Sequence, residues 1–194
     1  MTSKINGLIL AGGRSRRMGH DKSLITFHNK PQREYLFDLL NTLCDKVYTS
    51  CKKGDEVPSS LNPLPDQFEI ESPINGILSA FSQNSTAAWL TVPVDMPEVN
   101  LEILNYLINN RSDNHIATCF FDSEGKNPEP LLTLWEPPAV SLLQKFYEAG
   151  NISPRDFLKQ SNVNTLTIPD KRALRNINSP DDLTDFLSEK DHSS

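Results

Sequence analysis

The sequence predicts a three-layer α/β/α domain with a mostly parallel central sheet. Short apolar runs typical of buried strands alternate with segments of helical spacing, the order expected when helices cover a parallel sheet. A glycine pair followed by cations comes directly after the first apolar run, where open parallel sheets bind ligands. The 194 residues are enough for one domain with a substantial core, which we place at 1–188, followed by a polar tail at 189–194.

In the first hundred residues, predicted strands and helices alternate. The strands are expected at 8–11, 46–51 and 87–92, with a short extended piece at 23–27. Pro31 suits the first turn of a helix through about residue 44, and the segment 72–81 is a loop that enters a second helix. The stretch 52–66 is rich in proline, serine, glycine and charge, so we expect an irregular surface connection there.

The second half continues the alternation. A helix is expected at 101–111, strands at 115–121 and 131–136, and a helix at 137–150. Two further helices should begin at Ser153 and Ser179, because each serine precedes a proline and has a carboxylate three residues on. Helix capping is a sufficient account of these serines and carboxylates.

Composition excludes several classes of protein. The net charge is −6, from 19 basic and 25 acidic residues, and nucleic-acid binding normally requires a basic surplus. The N-terminus lacks the apolar core of a signal peptide, and no run approaches the roughly 18 apolar residues of a membrane helix. Three cysteines without metal-ligand spacing indicate lone thiols in a reducing cytoplasm: Cys44, Cys51 and Cys119.

The loop after the first strand has the chemistry of a phosphate-binding site. Gly12 and Gly13 allow a tight turn with exposed backbone N–H groups, because glycine tolerates positive φ and has no side chain. Four cations within nine residues can add charge-assisted hydrogen bonds to a polyphosphate: Arg14, Arg16, Arg17 and Lys22. The order matches neither the Walker loop nor the G-x-G-x-x-G fingerprint.

This stretch resembles a known signature. It reads Leu10-Ala-Gly-Gly-Arg-Ser-Arg-Arg-Met-Gly-His-Asp-Lys22 and is similar to the motif of nucleotidyltransferases. Within them it is most similar to the molybdenum cofactor guanylyltransferases, whose pattern is roughly L-A-G-G-x-S-x-R-M-G-x-D-K, with every fixed position present. The resemblance implies a Rossmann-like nucleotidyltransferase domain, with a nucleotide-binding half at about 1–100 and an acceptor-binding half at about 101–188.

The resemblance also implies a nucleotide site. Arg17, Lys22 and Asp95 would be catalytic, and the Asp66 carboxylate would accept hydrogen bonds from guanine. The segment 72–77 resembles the family's G-P-[LM]-x-G-[IM] loop, although Ser72 replaces the first glycine. The residues assigned to nucleotide binding are Leu10, Ala11, Gly12, Gly13, Lys22, Asp66, Gly76 and Asp95.

Asp95 is the candidate metal ligand. It follows the predicted strand 87–92, and Mg²⁺ is usually held by one or two carboxylates together with the substrate's phosphates. The family carries Asp-x-Pro at this point, which Asp95-Met-Pro97 matches, although Val94 replaces the usual cysteine. The resemblance therefore implies Mg²⁺ as cofactor.

The later motifs point to the second substrate. The stretch Glu129-Pro-Leu131 resembles the family's E-P-L, and the segment 176–182 resembles N-x-N-[ST]-P-[ED]-[ED]. Asn176 and Asn178 would point the same way from an extended segment, and their amides would bind the pterin or its phosphate arm.

The implied reaction is transfer of GMP from GTP to molybdenum-molybdopterin, with release of pyrophosphate. Transient contact with proteins of molybdopterin synthesis or with molybdoenzymes would follow, and neither nucleic acid nor membrane is expected as a partner. Three alternatives stay open: a CTP-dependent molybdopterin cytidylyltransferase, a sugar-phosphate nucleotidyltransferase, and a non-catalytic nucleotide- or cofactor-binding module.

Overall fold

One mixed sheet organises the computed structural model, which describes residues 3–11 and 22–191. Its seven strands lie in the order β3-β2-β1-β4-β6-β5-β7. Their bounds are β1 (Ile5–Leu10), β2 (Lys46–Cys51), β3 (Pro63–Pro65), β4 (Ala88–Pro93), β5 (Ala117–Phe121), β6 (Pro128–Trp135) and β7 (Val163–Leu166).

Strand direction decides which residues share an edge of the sheet. β1 runs parallel to both β2 and β4, β2 runs parallel to β3, and β5 runs parallel to β7. β6 is the exception, because it runs antiparallel to both of its neighbours, β4 and β5. The start of β6 therefore lies at the edge where β1 and β4 end.

Helices cover both faces of the sheet. They are α1 (Gln32–Asn41), α2 (Ile74–Gln83), α3 (Leu101–Asn109), α4 (Ala139–Glu148), α5 (Pro154–Lys159) and α6 (Pro180–Asp191). One buried cluster contains Ile9 together with Leu36 of α1 and Leu104 of α3, whereas another contains Leu8 together with Ile77 of α2. Successive residues of β1 thus point into opposite cores, and the predicted three-layer arrangement with a mostly parallel sheet is confirmed.

The prediction at 23–27 was wrong. Lys22–Leu24 form a 3₁₀ turn, and the extended backbone is limited to one antiparallel bridge between Thr26 and Pro31. The bridge is local, and the Gln32 N–H donates to the Ile25 carbonyl at 2.9 Å. This segment therefore folds as a tight turn that leads into α1.

The connection at 52–66 contains more structure than predicted. Ser59–Leu61 form a 3₁₀ turn, and β3 adds a parallel edge strand beside β2. The prolines are compatible with β3 because an edge strand needs hydrogen bonds on one side only. β7, four half-buried residues without an alternating apolar pattern, was missed.

The two serine-capped helices are confirmed. Ser153 Oγ accepts from the Asp156 N–H, and Ser179 Oγ accepts from the Asp182 N–H, each at 3.2 Å. α6 extends to Asp191, three residues into the segment predicted as a polar tail. Of the described helices, none is both long and apolar enough to cross a membrane.

A buried ion pair fastens the edge of the sheet opposite the ends of β1 and β4. Arg111 Nε lies 2.5 Å from Glu136 Oε1, and the two side chains are only 9% and 6% exposed. Arg111 Nη1 also donates to the Ser3 carbonyl at 2.8 Å. The guanidinium thus links the residue after β6 to the segment that enters β1.

We expect Glu136→Ala to lower the free energy of unfolding by about 3–5 kcal/mol, because it leaves a buried guanidinium without its counter-charge. Urea denaturation followed by circular dichroism would measure the change. The matched control is Glu124→Ala, which removes an exposed partner of Lys126 and should change stability by no more than about 0.5 kcal/mol. Equal effects of the two substitutions would contradict this account.

Candidate active site

The ends of β1 and β4 meet at one edge of the sheet. Leu10 is buried at the end of β1, and its carbonyl accepts from the Val94 N–H at 3.3 Å. Ala11 follows it, and Asp95 follows β4 at the same edge. The structure therefore brings the predicted residues Leu10, Ala11 and Asp95 together. Gly12, Gly13 and Arg17, which the sequence assigns to the phosphate loop, lie outside the described residues.

The Asp95 carboxylate has the environment of a ligand site. Its Oδ1 atom is buried and has no hydrogen-bond partner among the residues that the structure describes. Burial raises the pKa of this carboxyl, and the positive charge of Lys22 lowers it. A buried carboxylate oxygen without a partner is costly unless something compensates it. A hard divalent cation fits this oxygen well, since Mg²⁺ prefers carboxylate ligands.

The segment with the two asparagines passes directly beside Asp95. The Ile177 N–H donates to the Asp95 carbonyl at 2.8 Å, and the Ile177 side chain is buried. Asn176 and Asn178 flank it and are exposed, as expected for alternate residues of an extended segment. Asp95 and Ile177, which are 82 positions apart in sequence, thus lie at one edge of the sheet.

The Lys22 side chain extends to the asparagine segment that passes beside Asp95. Its Nζ donates to Asn178 Oδ1 at 2.8 Å, across 156 positions of sequence. The backbone N–H groups of Asn178 and Ser179 both donate to Asp182 Oδ2 at 2.8 Å, so the cap of α6 holds Asn178 in position. Lys22, Asp95 and Asn178 therefore form one polar group at the ends of β1 and β4.

Asp66 lies on the flank of this edge, next to β2. Its N–H donates to the Cys51 carbonyl at 2.8 Å, and Ser50 Oγ lies 3.4 Å from Asp66 Oδ1. Burial raises the pKa of the Asp66 carboxyl, whereas the Ser50 hydroxyl lowers it. A cavity of about 390 Å³ opens beside it, lined by Lys52, Lys53, Asp66, Gln67, Phe68, Glu69, Ile70, Glu71 and Asn75.

Sequence reasoning missed the residue that shapes this cavity. Asn75 is buried in the first turn of α2, and its Oδ1 accepts from the Phe68 N–H at 3.2 Å. Its Nδ2 donates to the carbonyls of Phe68 and Ile70. The neighbouring Ser79 Oγ accepts from the Gln67 N–H at 2.9 Å. A buried asparagine bonded to a loop backbone is recognisable only once the fold brings the two together.

Gly76 is required by close packing. A Cβ atom at this position would lie 2.7 Å from Ser50 Oγ and 3.2 Å from Leu10 Cδ2. The absence of a side chain at Gly76 therefore lets α2 approach the ends of β1 and β2. Ser50, which α2 approaches there, also contacts Asp66. The structure thus places Gly76 against the predicted nucleotide site as a packing residue.

A family model described as the MobA-like NTP transferase domain matches residues 7–165. The chain belongs to this family. The match runs from β1, through the end of β4, to β7, so it includes the edge that carries Asp95. The resemblance read from the glycine-loop motif is therefore confirmed at the level of the family.

Relatives of this MobA-like chain carry consistent names. A probable molybdenum cofactor guanylyltransferase of Flavobacterium johnsoniae is 30% identical over 182 residues, covering 92% of this chain and 94% of the relative. A molybdenum cofactor biosynthesis bifunctional protein of Synechocystis is 32% identical over 179 residues, covering 91% of this chain. The match spans only about half, 52%, of that bifunctional protein.

Solved structures share the fold of this MobA-like chain. Molybdopterin-guanine dinucleotide biosynthesis protein A from Archaeoglobus fulgidus superposes with a TM-score of 0.80 at 24% identity, covering 96% of this chain and 99% of the other. A 2-C-methyl-D-erythritol 4-phosphate cytidylyltransferase from Thermus thermophilus gives 0.71 at 10% identity, covering 95% and 98%. The predicted α/β nucleotidyltransferase fold is confirmed.

We expect Gly76→Ala to lower the free energy of unfolding by about 1–3 kcal/mol, because overpacking against Ser50 outweighs the better helix propensity of alanine. Urea denaturation would measure the loss. Adding Ser50→Ala should recover part of it, since the closest clash is with the hydroxyl oxygen. The control is Gln83→Ala at the exposed end of α2. A Gly76→Ala variant as stable as the original chain would contradict the packing role.

Proposed function

We propose that this protein transfers GMP from GTP to molybdenum-molybdopterin, which yields the guanine dinucleotide form of the cofactor and pyrophosphate. The observation that carries the proposal is the polar group of Lys22, Asp95 and Asn178 at the ends of β1 and β4. The family, and the relatives named as molybdenum cofactor guanylyltransferases, support this reaction class and this acceptor.

The transfer needs no general base from the protein. An oxygen of the acceptor's terminal phosphate is already anionic and forms the new bond to the α-phosphorus of GTP. The bond from that phosphorus to the oxygen bridging the α and β phosphates breaks, and the electron pair leaves with pyrophosphate. The protein's task is to align the two phosphates and stabilise the developing charge.

Asp95 is the residue that would hold Mg²⁺. The buried Oδ1 atom, which lacks a described partner, supports this assignment, and so does the position of Asp95 at the edge of the sheet. When bound with the triphosphate, Mg²⁺ supplies positive charge to the phosphate oxygens. The amide oxygen of Asn178 is close enough to Lys22 to keep the ammonium group beside Asp95.

Lys22 would neutralise the pyrophosphate as it departs, because a flexible ammonium can follow the charge as it develops. We extend this role to Arg17, and we assign the backbone of Gly12 and Gly13 to the triphosphate, on the strength of the loop's residue types. Asn176 and Asn178, exposed on one side of the extended segment, would contact the acceptor.

Asp66 would select the base. A carboxylate can accept hydrogen bonds from the amino and ring N–H groups of guanine at once, and cytosine offers no such pair. The cavity of about 390 Å³ beside Asp66 has room for a purine ring, and the loop that Asn75 hydrogen-bonds forms its wall.

We also propose a reducing, cytoplasmic setting for this protein. The free state of Cys44, Cys51 and Cys119 supports this proposal.

We expect Mg²⁺·GTP to raise the melting temperature of the purified protein more than the Mg²⁺ complexes of CTP, ATP or UTP do, because a ligand of the folded state stabilises it by mass action. Asp66→Asn should weaken GTP binding about tenfold to a hundredfold, since it loses a charged acceptor. Asp45→Asn, at the opposite edge, is the control. Selectivity for CTP would replace the guanylyltransferase assignment by a cytidylyltransferase, and no response to any nucleotide would favour a non-catalytic binding module.

We expect Asp95→Asn to reduce GMP transfer by at least about a hundredfold, because the amide removes the negative charge that would hold the metal. Pyrophosphate release at saturating GTP and acceptor, over a range of Mg²⁺ concentrations, measures the effect. Burial raises the pKa of Asp95, so loss of its charge should not lower stability at pH 7, and the melting temperature checks this. Asp185→Asn, at an exposed position of α6, is the control; an unchanged rate in Asp95→Asn would remove this residue from the mechanism.

A further inference from the structure

Glu129 is a buried carboxylate on the β6 side of Asp95, whereas β1 lies on the other side. It lies at the start of β6, and its side chain is 8% exposed. The antiparallel pairing of β4 with β6 matches Thr91 with Thr133. Continued four residues beyond this last pair, the register would set Glu129 opposite Asp95, and the two are close enough for the Asp95 charge to act on Glu129. Two carboxylates therefore share one edge of the sheet, and their mutual repulsion adds to burial in raising the pKa of Glu129.

Glu129 has partners for both of its oxygens. Its Oε1 accepts from the Leu131 N–H at 3.0 Å, and its Oε2 lies 3.6 Å from Arg155 Nη2. A buried carboxylate is stable only when it is paired and hydrogen-bonded, so these contacts account for its charge. They also place a guanidinium group beside the candidate active site.

The helix that carries Arg155 is anchored by packing, and the Arg155 side chain is accessible. It lies in α5, whose neighbouring Phe157 is buried and packs against Trp135 of β6 and Phe146 of α4, with ring centroids 6.2 Å and 5.4 Å away. The Arg155 side chain is 43% exposed despite its contact with Glu129. A guanidinium has five N–H donors, and one contact through Nη2 leaves the greater part of them able to bind a second anion.

The strand order indicates which anion Arg155 would bind in addition to Glu129. β4 lies between β1 and β6, so the end of β4 that precedes Asp95 has the end of β1 on one side and the start of β6, with Glu129 and its partner Arg155, on the other. The proposed nucleotide site lies on the β1 side of β4, where Asp66 and its cavity are found beyond β2. A second phosphate that attacks the α-phosphorus has to approach from the β6 side. The attacking dianion there needs a cation, and Arg155 supplies one.

We propose that Arg155, oriented by Glu129, binds the terminal phosphate monoester of the acceptor substrate. This inference rests on the proposed function, and it names the residue that holds the second reactant. In the transfer, one oxygen of the monoester forms the bond to the α-phosphorus while Arg155 keeps its N–H groups on the other oxygens. No proton moves, since the monoester enters as a dianion and the pyrophosphate leaves with the electron pair of the broken bond. Glu129 is a positioning residue, because it acts through Arg155.

Steady-state kinetics of Arg155→Gln, with GTP and molybdenum-molybdopterin varied in turn, would test the assignment. We expect the KM for molybdopterin to rise about tenfold to a hundredfold, the size of one lost charge-assisted contact, while the KM for GTP stays within about twofold. Arg155→Lys should recover part of the loss, since it restores the charge without the planar fork. Lys46→Gln, which removes one charge at the opposite edge of the sheet, should leave both KM values unchanged.

Glu129→Gln tests the positioning role. The amide keeps the size of the side chain and can still accept from the Leu131 N–H, so the fold should survive. We expect a smaller rise in the KM for molybdopterin than Arg155→Gln produces, and little added effect when the two substitutions are combined, because they disturb one contact. Fully additive effects would overturn the assignment of Glu129 as the residue that orients Arg155.

The outcomes separate this inference from the function on which it rests. If the unmodified chain transfers GMP to molybdopterin and Arg155→Gln has the same KM for molybdopterin, the role of Arg155 is overturned and the proposed function stands. If Arg155→Gln raises the KM for GTP instead, Arg155 belongs to the nucleotide and the acceptor assignment is wrong. If the unmodified chain binds Mg²⁺·GTP but transfers nothing to molybdopterin, the proposed function and the acceptor role fail together.

Discussion

The hydrogen bond from the Ile177 N–H to the Asp95 carbonyl joins the last extended segment of the chain to the centre of the sheet. Because Ile177 is buried, its two asparagine neighbours are directed outward beside Asp95. Asn178 then meets Lys22, which comes from the other end of the chain. The polar group at this edge depends on that one backbone contact, since the residues involved are far apart in sequence and no local structure could assemble them.

Because β6 runs antiparallel to β4, its first residues lie at the edge of the sheet where β4 ends. In a wholly parallel sheet, the first residues of β6 would lie at the opposite edge, away from Asp95. Antiparallel pairing with β4 instead places Glu129 there, and α5 adds Arg155. The edge consequently has cations on both sides of a central carboxylate. In the proposed transfer, each of the two anionic reactants would have its own cation, and Asp95 is the proposed ligand of Mg²⁺ between them.

The site combines rigid support with groups that are unfavourable for folding. Asn75 hydrogen-bonds the loop that forms the wall of the cavity, and Gly76 packs closely against Ser50, which contacts Asp66. Asp95, in contrast, has a buried Oδ1 atom without a hydrogen-bond partner among the residues that the structure describes. Buried charge lowers stability, and the large apolar clusters on both faces of the sheet offset this cost.

The sequence by itself determined the layered α/β class, the bounds of β2, the serine caps of α5 and α6, and the family, because these depend on local periodicity, capping chemistry and a contiguous motif. It also singled out Lys22, Asp66, Asp95 and the two asparagines. Only the tertiary structure decided that β6 is antiparallel, that β3 and β7 extend the sheet, that Asn75 lines the cavity beside Asp66, and that Arg155 contacts Glu129. These features arise from pairing between distant segments, and short strands such as β3 and β7 carry too few residues for a periodic signal.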